Sequence, residues 1–291
     1  MTHAAMKTGE PQEFHYRVPR RGGGWRQGSH RGSSLGMGQE FVAHRRLYDW
    51  PDPRRLDLRA SLRDVRSDWL VRVNRQRISV PVHVIVDVSA SMNFGSHVRK
   101  LQVAADFVAA LGQSAFRVGD AVGMFAFDSH ARMDLFVPAL FSRGTGSRMA
   151  SMLRDCQAST AGSEGLEEVA LHVAGRHSLV FLISDFHWSV DRLAAVLEML
   201  AASHVVPIVI WDPAELQPPA KDALMPLQDM ESGAHRTLWM RPRLRARWAE
   251  AVEERRAQLT KTCDPYGTRP FFVCGAFDSD AMSRYFFEAV A

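Results

Sequence analysis

From residue 82 onward, the chain alternates short β-branched runs with segments whose apolar positions recur at helical spacing. This alternation is typical of a parallel sheet covered by helices. Residues 82–86 and 179–183 are nearly continuous apolar runs, as expected of central strands buried on both faces. Residues 98–115 carry the apolar spacing of a helix. The pattern therefore predicts an α/β, Rossmann-like fold with a mostly parallel central sheet and helices on both faces.

The other predicted elements continue this alternation. Residues 121–127 and 132–137 are expected to pair as a hairpin through Asp128-Ser129-His130, which would place one antiparallel strand at a sheet edge. Further strands are expected at 205–211, 237–240 and 271–274, and further helices at 147–156, 166–174, 190–202, 244–260 and 278–289. The sequence shows no internal repeat, so we expect residues 81–291 to form one α/β domain with a C-terminal extension.

The first 80 residues differ from the rest in pattern and in charge. Residues 22–38 are mostly Gly, Ser, Arg and His, so we expect residues 1–39 to form a basic, mobile arm. Residues 40–80 set aromatic and aliphatic side chains among charges, and we expect them to fold and pack on the α/β domain. Residues 1–80 hold 16 Lys and Arg against 8 Asp and Glu, a net charge of +8, and residues 81–291 hold 20 against 24, a net charge of −4. The chain thus has two regions of opposite charge.

Composition narrows the class of protein. The chain is 46% hydrophobic and 23% charged, and it has no apolar stretch of about 18 residues, so we expect no membrane span. The N-terminal residues lack the apolar core of a secretory signal, which predicts a cytoplasmic protein. Three cysteines are too few for a disulfide framework, and we expect free thiols.

Polar side chains directly follow the two buried strands. Asp87, Ser89 and Ser91 come after the first strand, and Asp185 comes after the second. If these strands are neighbours, the side chains meet in the crevice at the carboxyl ends of the sheet. Carboxylate and hydroxyl oxygens suit a hard divalent cation, Mg²⁺ first, with Mn²⁺ and Ca²⁺ as alternatives. The competing interpretation is structural, because Asp and Ser are also favoured in strand-to-helix turns and N-caps.

The pentapeptide Asp87-Val88-Ser89-Ala90-Ser91 has the spacing that opens the metal-ion-dependent adhesion site of von Willebrand factor A (VWA) domains. The chain resembles this family over roughly residues 82–211. The resemblance implies that Ser89 and Ser91 contact the metal directly, while Asp87 and Asp185 contact it directly or through waters. An incompletely filled site of this kind accepts a carboxylate from a partner protein.

The same resemblance implies one more hydroxyl, from a loop between the two buried strands. Ser163, which follows a Gly, and Thr160 are the candidates, with Ser163 favoured. Three residues beside the expected metal are candidates for contact with the partner: Asn93, His187 and Trp188. For His187 and Trp188, a structural role in the loop is the alternative.

Four short segments of residues 40–80 form a second pattern: Glu40-Phe41, Arg46-Leu47-Tyr48, residues 52–57 and Val71-Arg72. They resemble the lead-in of VWA proteins found beside MoxR-type AAA+ ATPases, most of all the MxaS type linked to bacterial methanol oxidation. Leu58 departs from that pattern, which has Trp there. The resemblance implies an adaptor that works with a MoxR-type ATPase in the maturation or metal loading of a client enzyme, with methanol dehydrogenase as one candidate client.

Catalytic motifs find little support in the sequence. Gly32-Ser33-Ser34-Leu35-Gly36 matches the G-x-S-x-G elbow of hydrolases, but no buried strand precedes it and no helix follows it. Gly144-Thr145-Gly146-Ser147 lacks the Lys of a P-loop, so ATP chemistry would belong to the partner. We therefore expect a protein without enzymatic activity.

Arginines near Trp25 point to a second class of partner, a polyanion such as single-stranded nucleic acid. These arginines are Arg17, Arg20, Arg21, Arg26 and Arg31. A solvated arm explains the same composition. Binding that is lost in salt and indifferent to Mg²⁺ would favour nucleic acid, whereas Mg²⁺-dependent binding to a protein would favour the adaptor.

Overall fold

The computed structural model describes residues 13–18, 27–36, 40–157, 162–217, 224–228 and 235–288. The chain divides into two units, one of Val18–Val80 and one of Pro81–Ala291 together with Met1–Arg17. Across the described residues, no helix combines the length and the apolar character needed to cross a membrane. The three cysteines are free thiols, as expected.

The unit Val18–Val80 is built on a three-stranded antiparallel sheet. Its strands are β1 (Gln27–Gly36), β2 (Glu40–Arg46) and β3 (Leu70–Ile78), in the order β1-β3-β2. A short helix, α1 (Leu58–Ser61), is capped by Asp57, which accepts a hydrogen bond from the Ala60 amide at 3.1 Å. Strand β1 lies where the sequence predicts a mobile arm. Its backbone pairs with β3, and such pairing does not require large side chains.

The larger unit contains a six-stranded sheet and a two-stranded sheet. Their strands are β4 (Val82–Asp87), β5 (Val122–Phe127), β6 (Val137–Leu140), β7 (Leu179–Ser184), β8 (His204–Trp211), β9 (Leu224–Gln228), β10 (His235–Trp239) and β11 (Phe271–Cys274). The six-stranded sheet has the order β11-β8-β7-β4-β5-β6, and all its neighbours are parallel except β5 and β6. The predicted mostly parallel sheet with one antiparallel edge strand is therefore confirmed.

Helices cover both faces of this sheet. They are α2 (Lys100–Val118), α3 (Thr145–Asp155), α4 (Gly165–Val173), α5 (Val190–Met199), α6 (Pro213–Leu216), α7 (Pro242–Cys263) and α8 (Ser279–Glu288). Successive residues of a strand point to opposite faces. In β7, the Phe181 ring lies 5.1 Å from Phe107 of α2, whereas Leu182 packs in one cluster with Val169 of α4 and Val196 of α5. The α/β fold class is confirmed.

One strand prediction needs correction, and one strand was not predicted. The predicted strand at 132–137 is instead a 3-10 helix, Met133–Leu135, and β6 begins only at Val137. The cause is the Arg132 guanidinium, which binds Asp128 Oδ2 at 3.0 Å and Asp134 Oδ2 at 2.8 Å and so closes a tight loop. The strand expected at 237–240 is confirmed as β10. Its antiparallel partner β9 was not predicted from the sequence.

Residues near the N-terminus belong to the core of the larger unit. Phe14 is buried, its ring lies 5.7 Å from Phe107, and its amide donates to Ser114 Oγ at 2.9 Å. The Tyr16 hydroxyl donates to Asp120 Oδ2 at 2.7 Å. The structure thus packs these residues where the sequence predicts a mobile arm, because two aromatic side chains supply apolar area that Gly, Ser and Arg do not.

Candidate metal centre

The loop after β4 places one carboxylate and two hydroxyls at the carboxyl end of the sheet. Asp87 is the last residue of β4, and the chain then passes through a 3-10 helix, Ala90–Asn93, before α2 begins. Asp87 Oδ1 accepts a hydrogen bond from the Ser89 amide at 2.9 Å, and the Ser89 and Ser91 hydroxyl oxygens lie 3.2 Å apart. All three side chains are buried, so they form a preformed group of oxygen atoms.

Asp185 reaches the same group from β7. Strand β7 pairs directly with β4, so the residues that follow the two strands are neighbours. The Ser184 hydroxyl donates to Asp87 Oδ2 at 2.7 Å, and the Ser91 hydroxyl helps to lower the pKa of the Asp185 carboxyl group. The Trp211 indole donates to the Asp185 carbonyl at 2.8 Å and fixes the backbone there. The structure thus brings together the two polar clusters that the sequence places after separate strands.

The candidates for the loop hydroxyl are less closely tied to this group. Ser163 is buried, and its Oγ accepts a hydrogen bond from Arg192 Nη1 at 2.8 Å. Among the described residues, no hydrogen bond joins Ser163 to Asp87 or Asp185. Thr160 lies outside the described residues. The choice between Ser163 and Thr160 therefore stays a prediction.

The three expected partner contacts differ in how accessible they are. Asn93 ends the 3-10 helix and is half-buried. The His187 side chain is 47% exposed, and the His187 amide donates to Asp185 Oδ1 at 3.3 Å. Trp188 is half-buried, and its indole donates to Ser184 Oγ at 3.1 Å, so it braces the site. Their contact with a partner stays a prediction.

Two charged residues that the sequence pattern does not predict lie beside these oxygen atoms. Lys100, the first residue of α2, is 2% exposed, and its Nζ lies 2.9 Å from Asp185 Oδ2 and 2.5 Å from Glu215 Oε1. Glu215 belongs to α6, where it forms a capping box with Asp212. That box is visible in the sequence as Asp212-Pro213-Ala214-Glu215 after the predicted strand at 205–211. Lys100 gives no such signal, because a polar residue at the start of a helix is usually solvated.

Burial and neighbouring charges set the protonation of the site. Burial, with the charge of Asp185, raises the pKa of Asp87 to about 6. Burial would also raise the pKa of Asp185, but Lys100, His187 and the Ser91 hydroxyl together outweigh it, and the pKa is lowered. Burial opposes the charged forms of His187 and Glu215 as well, yet their mutual hydrogen bond helps to raise the pKa of His187 and to lower that of Glu215. At neutral pH, the site therefore holds carboxylates beside a buried ammonium.

The donor set fits a hard divalent cation. We define the candidate metal centre as Asp87, Ser89, Ser91 and Asp185, which offer buried carboxylate and hydroxyl oxygens, the ligands that Mg²⁺ and Ca²⁺ prefer. Beside it, Asp185, His187 and Glu215 offer ligand atoms that all lie within 4.8 Å of one another. Lys100 shows that the same carboxylates already stabilise one positive charge.

Comparison with known proteins relates the chain to one family and to a few curated proteins. A family model described as "Protein of unknown function DUF58" matches residues 45–258. The chain is 37% identical over 95 residues to the Paracoccus denitrificans protein "Uncharacterized protein in moxR 3'region". The aligned residues are 33% of this chain and 90% of that protein. It is 28% identical over 242 residues to a Mycobacterium tuberculosis protein. The aligned residues are 81% of this chain and 74% of that protein.

Several solved structures are similar at low identity. BatB from Bacteroides thetaiotaomicron has a TM-score of 0.43 and 16% identity, covering 72% of this chain and 98% of that chain. An aerotolerance-related membrane protein from Bacteroides fragilis has a TM-score of 0.48 and 14% identity, covering 73% and 98%. The SpRpn10 VWA domain has a TM-score of 0.38 and 10% identity, covering 71% and 95%. At these scores, the fold class rests on the strand order of this chain itself.

Proposed function

We propose that this chain, which belongs to the DUF58 family, is a non-enzymatic adaptor that binds a partner protein through a divalent metal ion. One observation carries the proposal: Asp87, Ser89 and Ser91 of one strand end meet Asp185 of the neighbouring strand end. Carboxylates and hydroxyls gathered in the crevice of an α/β sheet favour a ligand site over an ordinary turn.

The residues of the candidate metal centre would hold the ion, with Ser163 or Thr160 as the remaining hydroxyl. When bound, Mg²⁺ or a similar ion supplies a positive charge with an open position for a partner's oxygen. This chain's own residues fix that position. Ser184 and the Ser89 amide hold the Asp87 carboxylate, and Trp211 holds the backbone of Asp185.

The proposed partner is a MoxR-type AAA+ ATPase. Its support is the Paracoccus denitrificans relative, whose name places it in the region 3' of moxR, together with the resemblance of residues 40–72 to proteins found beside such ATPases. The ATPase would supply the energy, and this chain would connect it to a client enzyme for maturation or metal loading. Methanol dehydrogenase is the client that the MxaS-type resemblance suggests.

Calorimetry tests the metal centre. We expect wild-type protein to bind Mg²⁺ and a Ser89→Ala, Ser91→Ala double variant to lose that binding. The variant lacks both hydroxyl oxygens of the candidate metal centre, which lie 3.2 Å apart in the wild type. Ser151→Ala, which removes an exposed hydroxyl on α3, is the matched control and should bind as wild type does. Equal Mg²⁺ binding by the double variant would refute the centre.

A pull-down with the ATPase tests the adaptor. Asp87→Asn keeps the shape and a hydrogen-bonding capacity of the side chain but removes its charge. We expect Asp87→Asn to retain the fold, as judged by circular dichroism, and to lose Mg²⁺-dependent capture of the ATPase. Unchanged capture by Asp87→Asn, or capture that persists in EDTA, would contradict a metal-mediated contact.

A further inference from the structure

A cavity of about 500 Å³ opens beside the candidate metal centre. It is lined by the β7–α5 loop, the end of β8, α6 and residues 244–255 of α7. Its walls are mainly apolar and include Trp211, Leu216, Leu244, Trp248 and Val252. A cavity of this size and character is typical of ligand pockets, which combine apolar walls with a few convergent polar groups.

The polar edge of the cavity is continuous with the candidate metal centre. His187 and Glu215 line the cavity. His187 Nε2 lies 3.5 Å from Glu215 Oε1 and 4.0 Å from Asp185 Oδ2, and Glu215 in turn binds Lys100. A ligand in the cavity would therefore be separated from a group bound at Asp185 only by the His187 side chain.

Hydrogen bonds fix the walls in place. The Trp248 indole donates to the Glu215 carbonyl at 2.7 Å, and the Trp211 indole donates to the Asp185 carbonyl at 2.8 Å. The Arg255 guanidinium donates to the carbonyls of Phe186 and Trp188. Because these groups are anchored to the backbone, the cavity is preformed, and an occupant loses little free energy to reorganisation of the walls.

The charged side chains around the cavity determine which charge a ligand should carry. The lining includes two arginines, Arg247 and Arg255, and one glutamate, Glu215, which is paired with Lys100. Arg247 lines the cavity, is exposed, and forms no ion pair with another residue that the structure describes. Arg255 bonds only to uncharged carbonyls there, so its positive charge is not neutralised by those bonds. Arg247 and Arg255 therefore favour a ligand with acidic groups over one with basic groups.

We propose that this cavity receives a bulky apolar side chain from an acidic segment of the partner protein. The inference rests on the proposed function for its partner, and it adds what that partner's segment contains: acidic residues next to an aromatic or large aliphatic one. An anchor of this kind, buried in a preformed pocket beside a charged contact, is typical of interface hot spots.

Nuclear magnetic resonance with short peptides tests the cavity on the full chain. The probes are acetyl-Asp-Phe-Asp-amide, acetyl-Asp-Ala-Asp-amide and acetyl-Lys-Phe-Lys-amide. We expect the acidic Phe peptide to shift the indole N–H signals of Trp248 and Trp211 and to bind about tenfold or more tightly than the Ala peptide, the ratio expected for burying one aromatic side chain. It should also bind more tightly than the Lys peptide, because the arginines that line the cavity repel lysine side chains. Equal binding of the Phe and Ala peptides, or no binding by any of the three, overturns the proposal.

Matched variants locate the effect. Trp248→Leu should weaken the acidic Phe peptide about tenfold, whereas Trp239→Leu, at an exposed Trp outside the cavity lining, should not. Arg247→Glu should weaken the same peptide, whereas Arg243→Glu, at an exposed Arg outside the lining, should weaken it less. Unchanged binding in both Trp248→Leu and Arg247→Glu overturns the proposal.

Repeating the titration in EDTA separates this proposal from the proposed function. A preference for Phe over Ala that persists in EDTA supports the cavity even where the metal centre fails. Mg²⁺-dependent binding of both acidic peptides with no preference for Phe supports the metal centre and overturns the cavity.

Discussion

At the scale of single residues, Lys100 is the least expected feature of the site. Its ammonium is buried and forms ion pairs with Asp185 and Glu215. Asp185 is also one of the carboxylates proposed to hold the metal. A metal ion and this ammonium therefore compete for the negative charge of Asp185. In Lys100→Met, we expect Mg²⁺ to bind roughly tenfold or more tightly, because a positive charge a few ångströms from the ion is gone.

The same variant has a predicted cost in stability. Removing one partner of a buried ion pair costs about 3–5 kcal/mol, so the melting temperature of metal-free Lys100→Met should fall. Mg²⁺ should restore much of the loss by supplying the missing charge. Lys261→Met, at an exposed Lys on α7, is the control for both measurements. If Lys100→Met binds Mg²⁺ more weakly than wild type, Lys100 holds Asp185 in place rather than competing with the metal.

His83 gives the fold a predicted dependence on pH. It is buried in β4, neither ring nitrogen has a hydrogen-bond partner among the described residues, and burial lowers its pKa from 6.5 to about 4. The unfolded chain therefore binds more protons than the folded one between these values, and stability falls as pH drops from about 6.5 to about 4. A shift of this size corresponds to about 3 kcal/mol at its limit.

Urea denaturation at two pH values checks this prediction. His83→Leu removes the titrating ring from an apolar site beside Phe125, so the free energy of unfolding should fall less between pH 7 and pH 4.5 than it does for wild type. His177→Leu, at an exposed histidine, is the control. Identical pH dependence of wild type and His83→Leu would show that other groups control acid stability.

The sequence predicted part of the candidate site because strand ends are visible in it. Asp87, Ser89, Ser91 and Asp185 directly follow buried apolar runs, and parallel neighbouring strands bring such residues together. Lys100 was not predictable in this way, since the apolar spacing of a helix does not reveal which polar residue at its start turns inward. The partner of a long side chain depends on tertiary packing.

At the scale of elements, the contact between α2 and α3 depends on two glycines. A Cβ on Gly112 would lie 2.3 Å from the Gly146 Cα, which is closer than real contacts allow. We expect Gly112→Ala to lower the free energy of unfolding by about 1–3 kcal/mol, because backbone must move to admit the methyl group. Urea denaturation measures the change.

The control for this contact is Gly144→Ala. A Cβ on Gly144 would meet nothing within 4 Å, although Gly144 also lies at the start of α3. Its stability should therefore stay close to that of wild type. Equal stability of Gly112→Ala and wild type would mean that α2 and α3 separate without penalty.

The elements that the sequence predicted are those with strong apolar patterns. The buried strands β4, β7 and β8 and helix α2 lie close to their predicted bounds. Strand β1 was missed because its Gly- and Ser-rich sequence carries no apolar pattern, and its pairing with β3 depends on backbone hydrogen bonds. The loop at Arg132 was mistaken for a strand because side-chain bonds to Asp128 and Asp134 override the local propensity.

At the scale of the whole molecule, the uneven charge along the chain supports a second hypothesis, in which the partner is a polyanion and not an ATPase. Residues 1–80 carry +8 and residues 81–291 carry −4. Contacts to phosphates release counterions, so binding to nucleic acid falls steeply with salt and does not require Mg²⁺. Binding through a metal ion should instead be abolished by EDTA at constant ionic strength and fall only modestly with salt.

An Arg20→Ser, Arg21→Ser, Arg26→Ser triple variant separates the two partners in one experiment. It removes three positive charges near Trp25 and leaves the candidate metal centre intact. We expect its Mg²⁺-dependent capture of the MoxR-type ATPase to equal that of wild type, while any binding of a fluorescent single-stranded oligonucleotide becomes weaker and less dependent on salt, since fewer counterions are released. If the triple variant loses the ATPase and the Asp87→Asn variant keeps it, the basic segment carries the interaction, and the metal centre does not.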